Sequence, residues 1–250
     1  MSTRTPRADA GTVRATARDV EAMGWVVEMD GMPADQIERL TGATAAAVRQ
    51  MFWRWRRAGW AETGQLGETR TVAKEGVYRR VAGPAWAWAT RLGCEMFGAK
   101  PYEPHRPSAQ RVPHTRAVND VRLWVESDAG WSRSSPAWHG ERELRWHLAQ
   151  KIGSTAARRH LPDAVIEYGT DAGRGRLAVE VEVSPKAVQR TGAIMAALLS
   201  EGIDADPFAD VLYVVSRDAW SVVERARADL AGTRADWPER IQMRRLEELT

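Results

Sequence analysis

Apolar residues recur at three- and four-residue intervals through the first third of the chain. Further on they switch to two-residue alternation and continuous runs, the change expected on passing from helices to strands. Val13 to Met29 reads as an amphipathic helix with Val20, Met23, Val26 and Val27 on one face. Asp30-Gly31 ends it, with Gly31 suited to a left-handed C-terminal position. Pro33 opens a short second helix whose buried side is Ile37 and Leu40. Thr41-Gly42 is a turn, and Thr44 is the expected N-cap of a third helix. In that helix Val48, Met51, Phe52 and Trp55 repeat at helical spacing and face the core. Arg49, Gln50, Trp53, Arg56 and Arg57 are left outside, and Gly59 closes it.

Trp60 to Val81 has a polar centre at 63–69 flanked by short apolar stretches, and reads as a β-hairpin carrying Arg70, Lys74, Arg79 and Arg80. Pro84 to Gly93 is expected to be a short apolar helix. Residues 99–114 hold four prolines and no apolar period, which marks a linker. From Thr115 a helix runs to about Glu126, and another starts near Gly140 with Glu141, Glu143 and Arg145. Asp163–Tyr168 and Arg176–Val183 alternate as strands around a turn at Asp171-Ala172-Gly173. Ser184 and Pro185 suit the start of the next helix, with Val188, Thr191, Ile194, Met195 and Leu198 inward. Val211 to Val215 is a continuous apolar strand, as at a sheet centre. Ala219–Leu230 is helical, and Arg240–Met243 a last strand. The expected organisation is a tail at 1–11, a helix-turn-helix domain at 12–95, a linker at 96–113 and an α/β domain with a mixed sheet at 114–250.

Composition adds three points. A single cysteine, Cys94, rules out an internal disulfide and fits a reducing cytoplasm. No apolar run approaches the ~18 residues of a membrane span, and the first residues lack the apolar core of a signal peptide. Net charge is +3, but residues 1–111 hold 17 Lys/Arg against 12 Asp/Glu, while residues 112–250 hold 19 against 21. A basic first part points to a polyanionic partner.

Helix, helix, helix and hairpin resemble the winged helix-turn-helix family over roughly residues 13–95. That resemblance places the helix from Thr44 in the major groove of double-stranded DNA. Thr44, Arg49, Gln50, Trp53, Arg56 and Arg57 would meet bases or phosphates there, and Arg70 and Arg79 of the wing would add contacts. It also makes a homodimer plausible, since such proteins often read paired half-sites. The competing reading is a solvated arginine-rich face in a protein-binding module.

Strand alternation puts Ala178, Glu180 and Glu182 on one side of their strand, with the two carboxylates about 6–7 Å apart. Asp163 opens the preceding strand, and a short hairpin would set it beside them. Oxygen ligands suit Mg²⁺ or Mn²⁺, which activate water and stabilise a phosphodiester transition state. Lys186, expected in the first turn of the following helix, would reach the phosphate, and Arg190 lies one turn further on. Glutamates alternating with valine are equally the pattern of a solvent-facing strand. The five histidines show no zinc spacing.

Pro162-Asp163 followed by Glu180-Val181-Glu182 resembles the PD-(D/E)XK nuclease superfamily, with Glu141 or Glu143 in the place of its earlier helical acid. More narrowly, HTRAVNDVRLWV, Glu141-Arg142-Glu143, HLPDAVIE, AVEVEVSPKAVQRTG and VLYVVS look like the replication-relaxation family of actinobacterial plasmids and mobile elements. The resemblance implies catalytic roles for Asp163, Glu180, Glu182, Lys186 and Glu143, with metal on Asp163 and Glu180. It also implies a cytoplasmic, nucleoid- or plasmid-associated role in replication, maintenance or transfer. One departure stands out. The superfamily's lysine sits two residues after the second acid, and here Glu182 occupies that place. Lys186 is then a relocated lysine, or the domain is a degenerate nuclease used for DNA binding or dimerisation.

Overall fold

The computed structural model describes residues 13–74, 77–127, 136–152, 160–170, 173–203 and 206–249. Side chains at 70–79, 152 and 173 also fall outside the description. Two units divide between Ala109 and Gln110.

The first unit begins with α1 (Ala17–Glu28). Thr16 caps it, and the Asp19 carboxylate returns to the Thr16 N–H at 2.9 Å, a capping box that satisfies two end donors at once. β1 (Met32–Pro33) leads into α2 (Ala34–Thr41) and α3 (Ala45–Ala58). Gly42 and Gly59 close the two helices at φ 62° and 73°, a backbone region open to glycine at no cost. The Thr44 hydroxyl accepts from the Ala47 N–H at 3.3 Å, the expected N-cap. Val48, Met51, Phe52 and Trp55 are all buried.

Two expectations fail here. Val20 is 53% exposed and Asp19 is fully buried in its place. Asp19 is drawn inward by Arg54 and by the Trp55 indole, at 2.6 and 2.8 Å, which turns the next residue to solvent. Pro84–Gly93 is not a helix. It holds β5 (Trp86–Ala89), followed by α4 (Arg91–Phe97). All four residues of β5 are buried, because the strand is central, between β1 and β2 (Ala61–Gly64), antiparallel to both. Its tryptophans, Trp86 and Trp88, alternate at the strand period, and pairing on two sides holds the segment extended. The hairpin is therefore built from β3 (Thr69–Lys74) and β4 (Val77–Ala82), with β2 belonging to the other sheet.

The second unit starts with α5 (Val112–Glu126), β6 (Ala137–Gly140) and α6 (Glu141–Ile152). Then follow β7 (Ala164–Thr170), β8 (Gly173–Glu182), α7 (Val188–Ser200), β9 (Asp210–Val215), α8 (Trp220–Asp229) and β10 (Ile241–Arg245). The sheet order is β10-β9-β8-β7-β6, antiparallel from β6 to β8 and parallel from β8 to β10. This is a mixed α+β fold with a five-stranded mixed sheet. Its core joins Ala178, Val211, Tyr213 and Val215 of the sheet to Met195 and Leu198 of α7 and Val223 and Ala226 of α8. Among the described residues no helix is long and apolar enough to cross a membrane.

Candidate functional site

The register of β7 on β8 builds the centre. Ala164 pairs with Val179, so Asp163, one residue earlier, falls beside Glu180. One Asp163 oxygen accepts the Val181 N–H at 2.8 Å. The other accepts from His114 Nε2 of α5 at 2.8 Å. The Asp163 carbonyl accepts the Glu141 N–H at 2.8 Å, which ties the start of α6 to the same point.

Glu180 and Glu182 do share one side of β8, but that side is not the solvent. Each residue is 5% exposed, because α7 and α8 cover this face of the sheet. Their partners across the ladder are Tyr213 and Val215. His160 Nε2 donates to Glu180 Oε1 at 2.8 Å, and Lys186 Nζ lies 2.7 Å from Glu182 Oε2. Lys186 is not in a helical turn. The Ser216 hydroxyl holds the Val183 carbonyl, the chain bends at Ser184 without entering a helix at Pro185, and α7 begins only at Val188 behind Ala187. Asp163, Glu180, Glu182 and Lys186 thus gather at one end of β8. Glu143 takes different partners, His139 at 3.2 Å and His147 at 3.4 Å.

Burial pushes the Glu180 carboxyl from its ordinary 4.5 to about 7, against the pull of His160, with the Asp163 charge adding to the rise. His160 is raised by its hydrogen bond to Glu180, despite its own burial. Burial opposes protonation of His114, but the Asp163 carboxylate outweighs it and the pKa rises. Tyr213 is raised by burial and by the charges of Glu180, Glu182 and Asp163. Its hydroxyl is buried with no hydrogen-bond partner among the described residues. The signal for Tyr213 was one hydroxyl in the aliphatic run VLYVV. His160 stands 20 residues before Glu180, and no sequence spacing points to the pair.

The donor set is chemically that of a hard cation, three carboxylates. As placed, however, the acids face protein donors: His114 and the Val181 N–H on Asp163, His160 on Glu180, Lys186 on Glu182. Among the described residues no group of three or more His, Cys, Asp or Glu side chains stands where one ion could be held. In this arrangement the residues do not fit a divalent metal on Asp163 and Glu180.

The titration has a consequence for stability. Between pH 4.5 and about 7 folded Glu180 keeps a proton that the unfolded chain releases, so stability falls as pH rises through that window. His160 acts with the same sign, since a raised histidine contributes fully below its ordinary 6.5 and loses the contribution as pH rises. The second unit is expected to melt lower at pH 8 than at pH 5.5. Glu180→Gln should flatten that slope in circular-dichroism melts.

On the first unit, Arg49, Gln50, Trp53, Arg56 and Arg57 are exposed on α3, as is the Thr44 cap before it. Arg54 is on neither stripe and belongs to Asp19. Arg190 is exposed in the first turn of α7. Arg70 and Arg79 lie on β3 and β4, with their side chains outside the described residues.

No family model matches the chain, and no curated protein matches it. Among solved structures, the restriction endonuclease FokI bound to DNA aligns with a TM-score of 0.28 and 8% identity, over 93% of this chain and 43% of that one. The chain thus spans less than half the length of that protein. A likeness of that size establishes no shared fold.

Proposed function

We propose that this chain is a double-stranded-DNA-binding protein of a plasmid or mobile element, acting in its replication, maintenance or transfer. The carrying observation is the outward face of α3, where Arg49, Arg56 and Arg57 stand exposed around Gln50 and Trp53 while the opposite face is buried. An arginine stripe on the second helix of a helix–turn–helix pair complements a phosphate backbone in charge and reach. The β3–β4 hairpin, which carries Arg70 and Arg79, acts as the wing, and Arg190 of α7 is a phosphate-binding residue of the second unit. Binding as a homodimer on paired half-sites, at the nucleoid or plasmid in the cytoplasm, completes the reading. The plasmid role itself rests on the resemblance to the replication-relaxation family.

The second unit is then a degenerate PD-(D/E)XK-like domain serving DNA binding or assembly. Its acids are each held by a histidine, a lysine or a backbone N–H, which supports a structural centre. A cleaving enzyme using Mg²⁺ or Mn²⁺ is the second reading. It is favoured by the placement of Asp163, Glu180, Glu182 and Lys186 at one end of β8, and it requires the acids to release their present partners.

One experiment separates these readings. Salt-dependent binding to duplex DNA is measured for the full chain and for Arg49→Ala with Arg56→Ala. The double variant should bind more weakly, with a slope of log K on log salt smaller by about two. The same complexes are then given Mg²⁺ or Mn²⁺ and scored for nicks. Nicks lost in Asp163→Ala and Glu180→Ala would assign cleavage. Intact DNA with unchanged binding in those variants supports the non-cleaving domain. No binding to any duplex at low salt would overturn the DNA reading.

A further inference from the structure

Trp53 is 48% exposed in the middle of α3. The core does not need it, because Val48, Met51, Phe52 and Trp55 already fill the inner face. Arg49, Trp53 and Arg57 stand four residues apart and line one outward stripe, with Gln50 and Arg56 flanking it. The Arg57 guanidinium lies 5.3 Å from the Trp53 ring centroid, a cation–π contact that restrains both side chains. The helix beneath is pinned, since Arg54 and the Trp55 indole are bound to buried Asp19 on α1. A large apolar ring is therefore held on a rigid helix, in a face otherwise made of donors.

This inference rests on the proposal that α3 enters the major groove. There the arginines and Gln50 can meet phosphates, guanine or adenine. The ring has a different complement. The apolar group that base pairs present in the major groove is the C5 methyl of thymine. We propose that Trp53 is a specificity-determining residue, reading a thymine methyl group in the DNA site of this protein. Arg57, stacked on the ring, is set by the same contact and positions its fork beside that base pair.

The test uses the full chain. Preferred duplexes are first selected from a random pool with wild-type protein and with Trp53→Ala. The wild-type site is then remade with deoxyuridine at each thymine in turn, which removes only the methyl. One position should weaken wild-type binding about fourfold, the value of one buried methyl group. Trp53→Ala should be insensitive at that position, and its selected pool should lose the thymine there while keeping the rest of the motif. Trp53→Phe should restore part of both effects. Melting curves of the variants should match the wild type, since the residue is outside the core.

Wild-type binding that is indifferent to every deoxyuridine overturns the inference, as does equal sensitivity in Trp53→Ala. Binding without any selected motif also overturns it, and leaves DNA binding itself standing. Self-association that depends on Trp53 in the absence of DNA would assign the ring to a protein surface and overturn it as well. Failure to bind any duplex removes the underlying reading of α3 and this inference with it.

Discussion

Asp163→Ala should lower the stability of the second unit by about 3 kcal/mol, because it strips the partner from a backbone N–H and from a half-buried imidazole. The Val181 N–H and His114 Nε2 each lose a 2.8 Å bond. At this size of unit the melting temperature should fall on the order of 10 °C. The sign is the informative part. In an open cluster of like charges, deleting one carboxylate relieves repulsion and raises stability. Here relief is limited, since Glu180 takes up a proton near neutrality at a pKa of about 7, while the lost bonds carry their full cost. Thermal melts of Asp163→Ala and Asp163→Asn decide it. Asparagine keeps an acceptor for Val181 and should lose less. A rise in stability on either change would show that the centre is a repulsive site held open for a ligand.

Asp19→Ala is expected to cost the first unit about 4 kcal/mol, the range for breaking a buried ion pair by removing one partner. Its two oxygens accept from the Thr16 N–H and hydroxyl, at 2.9 and 2.7 Å, and from Arg54 and the Trp55 indole, at 2.6 and 2.8 Å. The substitution therefore removes a helix cap and uncouples α1 from α3 together. A melting-temperature fall on the order of 20 °C should follow for a unit this small. The DNA binding proposed for α3 should weaken with it, since Arg54 and Trp55 fix how α3 sits. Burial acts to raise the Asp19 pKa, but the bonds from Thr16, Arg54 and Trp55 win and hold it below the ordinary 3.8. A lowered carboxylate contributes stability that is present above the unfolded pKa and lost as pH falls through the folded one. The first unit should thus weaken below pH 4, and Asp19→Asn should blunt that loss. An acid profile unchanged by the asparagine would show that the carboxylate is not what stabilises the unit.

Local order was legible along the chain wherever neighbours a few residues apart decide the outcome. The four inward residues of α3, its Thr44 cap and its Gly59 stop follow from helical period and backbone freedom. The sharing of one strand side by Glu180 and Glu182 follows from the pleat. What could not be read locally was which side of a strand would be covered. Glutamates alternating with valine are compatible with solvent, and it is α7, α8 and β9 that bury them. β5 was legible and missed, since Trp86 and Trp88 alternate at the strand period, as a strand between two neighbours requires.

The partners of the acids were further still from view. His114 is 49 residues from Asp163 and His160 is 20 from Glu180. No spacing rule links such pairs, because only the β7–β8 register and the placement of α5 bring them together. Tyr213 is in the same position, a hydroxyl that is unremarked in an apolar strand until the ladder sets it opposite Glu180. The chain's own order of residues decides most of the helices and strands and the basic outer face of α3. The fold decides whether its carboxylates are left for a cation or closed by the protein, because burial and hydrogen bonding between distant segments set their charge.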